Sequence, residues 1–332
     1  MATASPPMTT PFDEHSTAEE VLADVDLSGR RAIVTGASSG IGTETARVLA
    51  LRGAAVTLTA RDLAVGETAA ARIRQSTGNR AVDVRPLELA DLASVAAFVE
   101  RWDGPLDMLV NNAGVMAIPE RTLTPGGDEL HFATNHLGHF ALAIGLADAL
   151  RASGDARIVS VSSSANLRCP VLFDDLTFAF VAYEPFAAYG QSKTANTLFA
   201  VEADRRWARD GIRANALMPG GIATNLQRYI EPEALAQARR QAGASRDLKT
   251  VAQGAATSVL AAASPLLQGI GGRYLEDCQE AQTISSRADS DGRHGVAPYA
   301  LDPDNAQRLW DTSERRLAGI GVITTSGSRM LA

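Results

Sequence analysis

Lysine is nearly missing from this chain of 332 residues: of 31 basic side chains, only Lys193 and Lys249 are lysine. Cysteine is as scarce, with Cys169 and Cys278 far apart and no C-x-x-C or neighbouring histidine pair. That excludes a zinc site and a disulfide framework, and it reads as two reduced thiols in a cytoplasm. No apolar run reaches the roughly 18 residues of a membrane span. The opening stretch MATASPPMTTPFDEHSTAEE lacks the basic and apolar regions of a secretory signal. The expectation is therefore a soluble, cytoplasmic protein. Excess positive charge is also absent. A formal net charge of -7 argues against a nucleic-acid partner, because phosphate binding asks for a basic face, and favours a small metabolite. A composition of 45% hydrophobic and 21% charged residues then removes disorder and fibres from consideration.

What is present is a regular alternation. Residues 1–28 form a polar arm or short leading helix, and from Arg31 short apolar runs alternate with helical spacing. RAIVT, AVTLTA, RAVDVRPLEL, LDMLVNN, RIVSVSS, IRANALMPG and GGRYL are seven candidate strands. Strands separated by segments with helical periodicity call for βαβ units and a parallel sheet covered on both faces. The expected fold class is α/β: one doubly wound domain of about seven strands over 29–275, with an N-terminal arm over 1–28. A C-terminal extension over 276–332 packs on the same domain, with Leu309, Trp310 and Leu317 on an apolar helical stripe.

Between the first strand and first helix lies TGASSGIG, placing Gly36, Ser38, Ser39, Gly40, Ile41 and Gly42 at a helix N-terminus. Glycines there let a pyrophosphate approach backbone N–H groups where the helix dipole favours negative charge. The second strand ends in Leu58-Thr59-Ala60-Arg61. A dinucleotide site selective for NAD puts an acid at that place. A small residue followed by arginine favours NADP(H) over NAD(H), since guanidinium grips phosphate in bidentate fashion; Asp62 beside it could blunt that charge. Tyr189 and Lys193, in YGQSK, share one helix face. With five tyrosines and two lysines in the chain, such a pair rarely arises by chance. An ammonium near a phenol favours phenolate and lowers its pKa from about 10, which makes a general acid or base. His136 and His139 lack a third ligand at metal spacing, so packing or polar support is expected of them and no metal site is assigned.

TGASSGIG, NNAG at 111–114, IVSVSS ending at Ser163, YGQSK and PGGIATNL at 219–226 together resemble the short-chain dehydrogenase/reductase family, over about residues 28–275. The resemblance implies a Rossmann-type fold and hydride transfer between a nicotinamide and a carbonyl or alcohol carbon. It further implies that Tyr189 exchanges a proton with the substrate oxygen, that Lys193 holds the nicotinamide ribose and tunes Tyr189, and that Ser163 bonds the carbonyl. Asn135 would support a water linking Lys193 to solvent. Asn112, Ala113 and Gly114 would close over the adenine ribose, with Glu88 and Leu89 near the adenine. Pro219, Gly220, Ile222 and Thr224 would meet the carboxamide or phosphates.

The 26 positions between Ser163 and Tyr189 exceed the interval in the plainest members of the family and resemble its retinol-dehydrogenase-like and WW-domain-oxidoreductase-like branch. Phe173, Phe178, Phe180 and Phe186 in this insertion either line an apolar pocket or pack the insertion onto the body. A second wall is expected from about 225–244. Both lean toward a bulky, hydrophobic ketone, aldehyde or secondary alcohol. A dinucleotide-sensing protein without turnover, a lyase or epimerase on the same fold, and a homo-oligomer all stay open.

Overall fold

The computed structural model describes residues 7–231, 233 and 248–320. Its centre is an eight-stranded sheet in the order β3-β2-β1-β4-β5-β6-β7-β8. The strands are β1 (Arg31–Val34), β2 (Ala55–Ala60), β3 (Val82–Pro86), β4 (Met108–Asn111), β5 (Ala156–Val161), β6 (Ile212–Met218), β7 (Tyr274–Glu276) and β8 (Gln279–Glu280). Ladders join β1 through β7 in parallel, and β8 turns back antiparallel on β7. The first seven fall on the runs expected from sequence. The eighth was not expected, because its two residues carry no apolar alternation. A two-residue turn makes it: Asp277 and Cys278 both have positive φ, 50° and 61°, the backbone that a tight hairpin demands. Burial holds Cys278 there, its N–H donating to the Thr257 hydroxyl at 3.1 Å and its carbonyl accepting from Thr10 Oγ at 2.8 Å.

The helices are α1 (Ala18–Val21), α2 (Gly40–Leu51), α3 (Leu63–Thr77), α4 (Leu92–Glu100), α5 (Gly138–Gly145), α6 (Ala147–Ser153), α7 (Pro185–Trp207), α8 (Val251–Gly254), α9 (Ala256–Ala263), α10 (Pro298–Leu301) and α11 (Pro303–Ile320). A π-helical turn, Phe132–Leu137, leads into α5. Because neighbouring residues of a strand point to opposite faces, the sheet has two cores. Ile33, Leu109 and Ile158 meet Phe98, Phe140 and Leu198 on one side. Ala32, Val34 and Val110 meet Leu49, Ile73 and Val259 on the other. Both faces of a parallel sheet are thus covered, as its apolar strands require.

The polar arm lies along the sheet's last edge. Met8 N–H donates to Glu280 Oε2 at 2.8 Å and Glu280 N–H returns a bond to the Met8 carbonyl at 3.1 Å. This covers edge groups that would otherwise stay open to another chain. At the other terminus, α11 places Leu309, Trp310 and Leu317 in the core. The Trp310 ring stacks on Phe199 with centroids 6.1 Å apart and meets Phe140 and Trp207 edge-on at 5.0 and 5.2 Å. Arg206 lies over its outer part at 4.6 Å. No helix among the described residues is long and apolar enough to cross a membrane.

Removing a buried indole at such a junction destabilises by about 3–5 kcal/mol. Trp310→Ala is therefore expected to lower the unfolding free energy by about that much in urea titration. A change below about 1 kcal/mol would show that α11 does not melt together with α7.

Candidate active site

One cleft of about 450 Å³ opens at the carboxyl ends of the central strands. Its phosphate end grows out of β1. Gly36 and Gly40 have φ of 62°, which side chains rarely adopt. A Cβ on Gly36 would stand 2.8 Å from Ala113 Cα, and one on Gly42 would stand 2.4 Å from Asn112 Nδ2. The loop is therefore packed against the strand behind it. Ser39 occupies the N-cap of α2 without a side-chain cap bond, so the first N–H groups of this twelve-residue helix face the cleft uncapped. A backbone cradle at a helix start suits the pyrophosphate of a dinucleotide.

A chain of buried hydrogen bonds connects this cradle to the other end of the cleft. The Thr35 hydroxyl accepts from Asn112 N–H at 2.9 Å and Ala113 N–H at 3.0 Å, and it lies 2.8 Å from His139 Nε2. His139 Nδ1 faces the Asn135 carbonyl at 2.9 Å. A carbonyl only accepts, so Nδ1 carries the proton and Nε2 accepts from Thr35. Burial pushes His139 down to about 4, aided by the Lys193 charge and opposed by its bond to Asn135, and the imidazole stays neutral. The Asn135 carboxamide accepts from Val115 N–H at 2.8 Å and donates to the Val115 carbonyl at 3.0 Å and to Ser192 Oγ at 2.9 Å. Ser192 in turn donates to the Tyr189 carbonyl at 2.7 Å. His136, burial-shifted to about 3, meets Ser313 of α11 at 2.8 Å. Both histidines are thus engaged in structural hydrogen bonds.

Tyr189 and Lys193 sit in the first half of α7, four residues apart and buried. The Lys193 ammonium lies 5.6 Å from the Tyr189 ring centroid and donates to the Val161 carbonyl at 2.8 Å. A Cβ on Gly114 would stand 3.2 Å from Asn135 Oδ1 and 3.6 Å from Lys193 Nζ, which is the close approach that this glycine permits. Burial pushes Tyr189 up to about 12, with the Ser163 hydroxyl bonding it in the opposite direction, and burial brings Lys193 down to about 7. The spacing argument expected the amine to lower the phenol. In the fold, desolvation is the dominant effect on both groups.

Every residue expected at the site lines the cleft except Asn135, which stands fully buried behind it. At the adenine end Asp62 caps α3, accepting from Ala64 and Val65 N–H. It is Glu88, at 3.8 Å, that faces the exposed Arg61 guanidinium. Asn112 directs its side chain to the Thr35 carbonyl at 2.8 Å, so its part in the wall is to brace the glycine turn. The four phenylalanines of the insertion do not line the cleft. Phe178 is buried edge-on against Tyr183, Phe173 packs under Arg308 of α11, Phe186 lies under Arg168, and Phe180 is 92% exposed. The insertion is held by its own polar contacts, with Asp175 accepting from the N–H groups of Ala179, Phe180 and Val181. Phe173 packs it onto the body, and Phe178 and Phe186 pack within it. Sequence reading missed Val115, Met116, Leu130 and Thr134 in the cleft wall; none belongs to a motif. Asn225, Leu226, Gln227, Arg228 and Tyr229 line the cleft where a second wall was expected. Of the second wall expected over 225–244, residues 232 and 234–244 lie outside the described residues.

The model of a family described as short chain dehydrogenase matches residues 30–235. A relative named "Probable oxidoreductase" from Streptomyces antibioticus is 52% identical over 296 residues, covering 86% of this chain and 97% of the relative. "Retinol dehydrogenase 12" of Mus musculus is 39% identical over 293 residues, 87% of each chain. A gluconate 5-dehydrogenase from Burkholderia cenocepacia J2315, solved in complex with NADP and tartrate, superposes with a TM-score of 0.60 at 27% identity, covering 76% of this chain and 94% of that one.

The buried amine has a cost that can be measured. A lysine whose folded pKa is about 7 against an ordinary 10.5 destabilises the fold while charged, fully below pH 7 and less as pH rises toward 10.5. Lys193→Met leaves the Val161 carbonyl its bond from Asn196, at 3.0 Å. It is expected to raise the unfolding free energy by on the order of 3 kcal/mol at pH 6, with the gain shrinking above pH 7. Calorimetry across that range checks both sign and slope; a variant less stable than wild type at pH 6 refutes it.

Proposed function

The chain belongs to the short-chain dehydrogenase/reductase family, in its retinol-dehydrogenase-like branch, and is an NAD(P)-dependent oxidoreductase; from this premise we propose that it reduces or oxidises a bulky, hydrophobic carbonyl or secondary alcohol with NADP(H). The observation that carries the reading is the placing of Tyr189, bonded to the Ser163 hydroxyl, on one helix face with Lys193 in the same cleft as the glycine cradle. A bound nicotinamide supplies or accepts the hydride. The chain's own groups do the rest. Ser163 holds the substrate oxygen by a hydrogen bond, and Tyr189 gives that oxygen its proton in reduction or takes it back in oxidation. Lys193 and Tyr189 titrate as a pair. Loss of one proton from the pair leaves either neutral lysine and phenol or their ammonium–phenolate tautomer, and the second is the base that oxidation needs. Asn135, locked by Val115 and Ser192, would hold a water through which Lys193 exchanges protons with solvent.

Support for an apolar substrate comes from Val115, Met116, Leu130 and Leu226 in the wall and from the retinol dehydrogenases among the relatives. Arg61 supports NADP(H): an exposed pair with Glu88 is worth little, so a dianionic phosphate competes for the guanidinium on favourable terms. The NADP held by the Burkholderia enzyme fits the same preference.

Tyr189→Phe is expected to lower turnover by about 10²–10⁴-fold while NADPH affinity stays within about twofold, as read by absorbance at saturating carbonyl and by equilibrium dialysis. Undiminished turnover sinks the proton role. Arg61→Ala should weaken NADPH binding roughly tenfold and leave NADH unchanged. Equal losses for the two cofactors would remove the phosphate assignment.

A further inference from the structure

The chain's second lysine lies beside the strap that follows β6. Pro219, Gly220, Gly221 and Ile222 line the same cleft as Ser163 and Tyr189; Gly220 N–H donates to Met218 Sδ at 2.8 Å and Ile222 packs against Gly254. The sheet ends at Met218, Gly220 has a φ of 103°, and two consecutive glycines leave the backbone pliable. Three contacts from Lys249 add a further restraint. Its N–H donates to the Gly221 carbonyl at 3.0 Å, forming a short parallel bridge with Ile222. Its alkyl stem lies flat on Gly220, where a built Cβ would stand 2.7 Å from Lys249 Cδ. Its ammonium, with the side chain only 14% exposed, is paired with Asp277, 16% exposed. Asp277 sits in the left-handed turn between β7 and β8, and its second oxygen meets His294 Nε2 at 3.0 Å. Through this pair the strap is tied to the end of the sheet.

We propose that Lys249 is a positioning residue for the oxidoreductase reaction, its ion pair with Asp277 fixing the Gly220–Ile222 strap against the nicotinamide end of a bound dinucleotide. The inference rests on the function proposed above. A charge suits this role because an apolar stem of the same length could slide along a glycine surface, whereas an ion pair fixes where the stem lies. A partly buried ion pair whose carboxylate is also held by His294 gives one geometry. Among the described residues the contacts of Lys249 are with the strap and with Asp277, so its effect should fall mainly on the nicotinamide half of the ligand.

The test compares NADPH with 2′-phospho-ADP-ribose, which lacks the nicotinamide, by calorimetric titration of the full chain. Lys249→Met keeps the stem and removes the charge; Asp277→Asn is isosteric and carries the comparison alone if the first variant yields little folded protein. Each is expected to weaken NADPH about tenfold or more, with the fragment within about twofold of wild type, and the double variant should be no worse than the worse single one. Equal losses for NADPH and fragment would mean a general structural role and overturn the proposal. So would unchanged affinities for both, or additive losses in the double variant. A wild-type protein that binds neither NADPH nor NADH would overturn the parent reading, and this one with it.

Discussion

The bond between the Thr35 hydroxyl and neutral His139 is the interaction on which the site's geometry depends. One hydroxyl at the end of β1 accepts the N–H groups of Asn112 and Ala113, so the turn after β4 is held against the turn after β1. Through the imidazole the same hydroxyl reaches the Asn135 carbonyl, and through Asn135 and Ser192 it reaches the backbone of Tyr189. Three segments far apart in the chain are thus tied together by buried hydrogen bonds. Both ring nitrogens of His139 are used, and burial keeps it uncharged. A buried network with every member satisfied specifies one arrangement, whereas a half-satisfied one would not. The π-helical turn matters here, because it turns the Asn135 carboxamide toward Val115 and α7 just where a regular helix would be entering α5.

Against this rigid frame the Tyr189 and Lys193 pair is held in an unfavourable state. Both are buried, and burial moves each toward its neutral form. Spacing alone suggested an amine that simply makes the phenol more acidic. The fold adds a second effect of opposite sign for the phenol, and at this depth it is the larger. The consequence is that both groups are pushed toward their uncharged forms. Groups poised in this way belong to functional sites more often than to structural ones. Among the described residues the amine's one acceptor is the Val161 carbonyl, which Asn196 also serves, so the fold does not depend on the charge.

What was legible in the sequence was local. The glycine turn, the alternation of apolar strand and amphipathic helix, and the tyrosine and lysine on one face are each decided within a dozen residues. The stripe of Leu309, Trp310 and Leu317 was legible for the same reason. What was not legible depended on partners distant in sequence. Arg61 could be matched with its neighbour Asp62, but Asp62 is drawn into a helix cap that any Asp in that position makes. The acid that faces Arg61 comes from the end of the next strand. The phenylalanines of the insertion look like a pocket lining because aromatics often are one. They are turned inward or outward by contacts with Arg168, Tyr183 and Arg308 that no spacing reveals. The eighth strand rests on the strained Asp277-Cys278 turn, held by residues from α9 and the N-terminal arm.

The two terminal extensions carry this last point further, because neither is an appendage. Residues 8–12 cover the outer edge of β8 and bond Cys278 in the turn, and Asp277 of that turn pairs with Lys249. The arm therefore supports the cleft's strap at two removes. On the opposite side of the sheet, His136 follows Asn135 in the π-helical turn and bonds Ser313 of α11. Its neighbour Asn135 bonds Val115 and Ser192 behind the cleft while His136 faces the extension. A shift of α11 would be transmitted to the turn that holds Asn135, because consecutive residues of one helical turn cannot move independently in a close-packed core. The described parts of both extensions meet elements that shape the cleft, so its geometry depends on them as well as on its motifs.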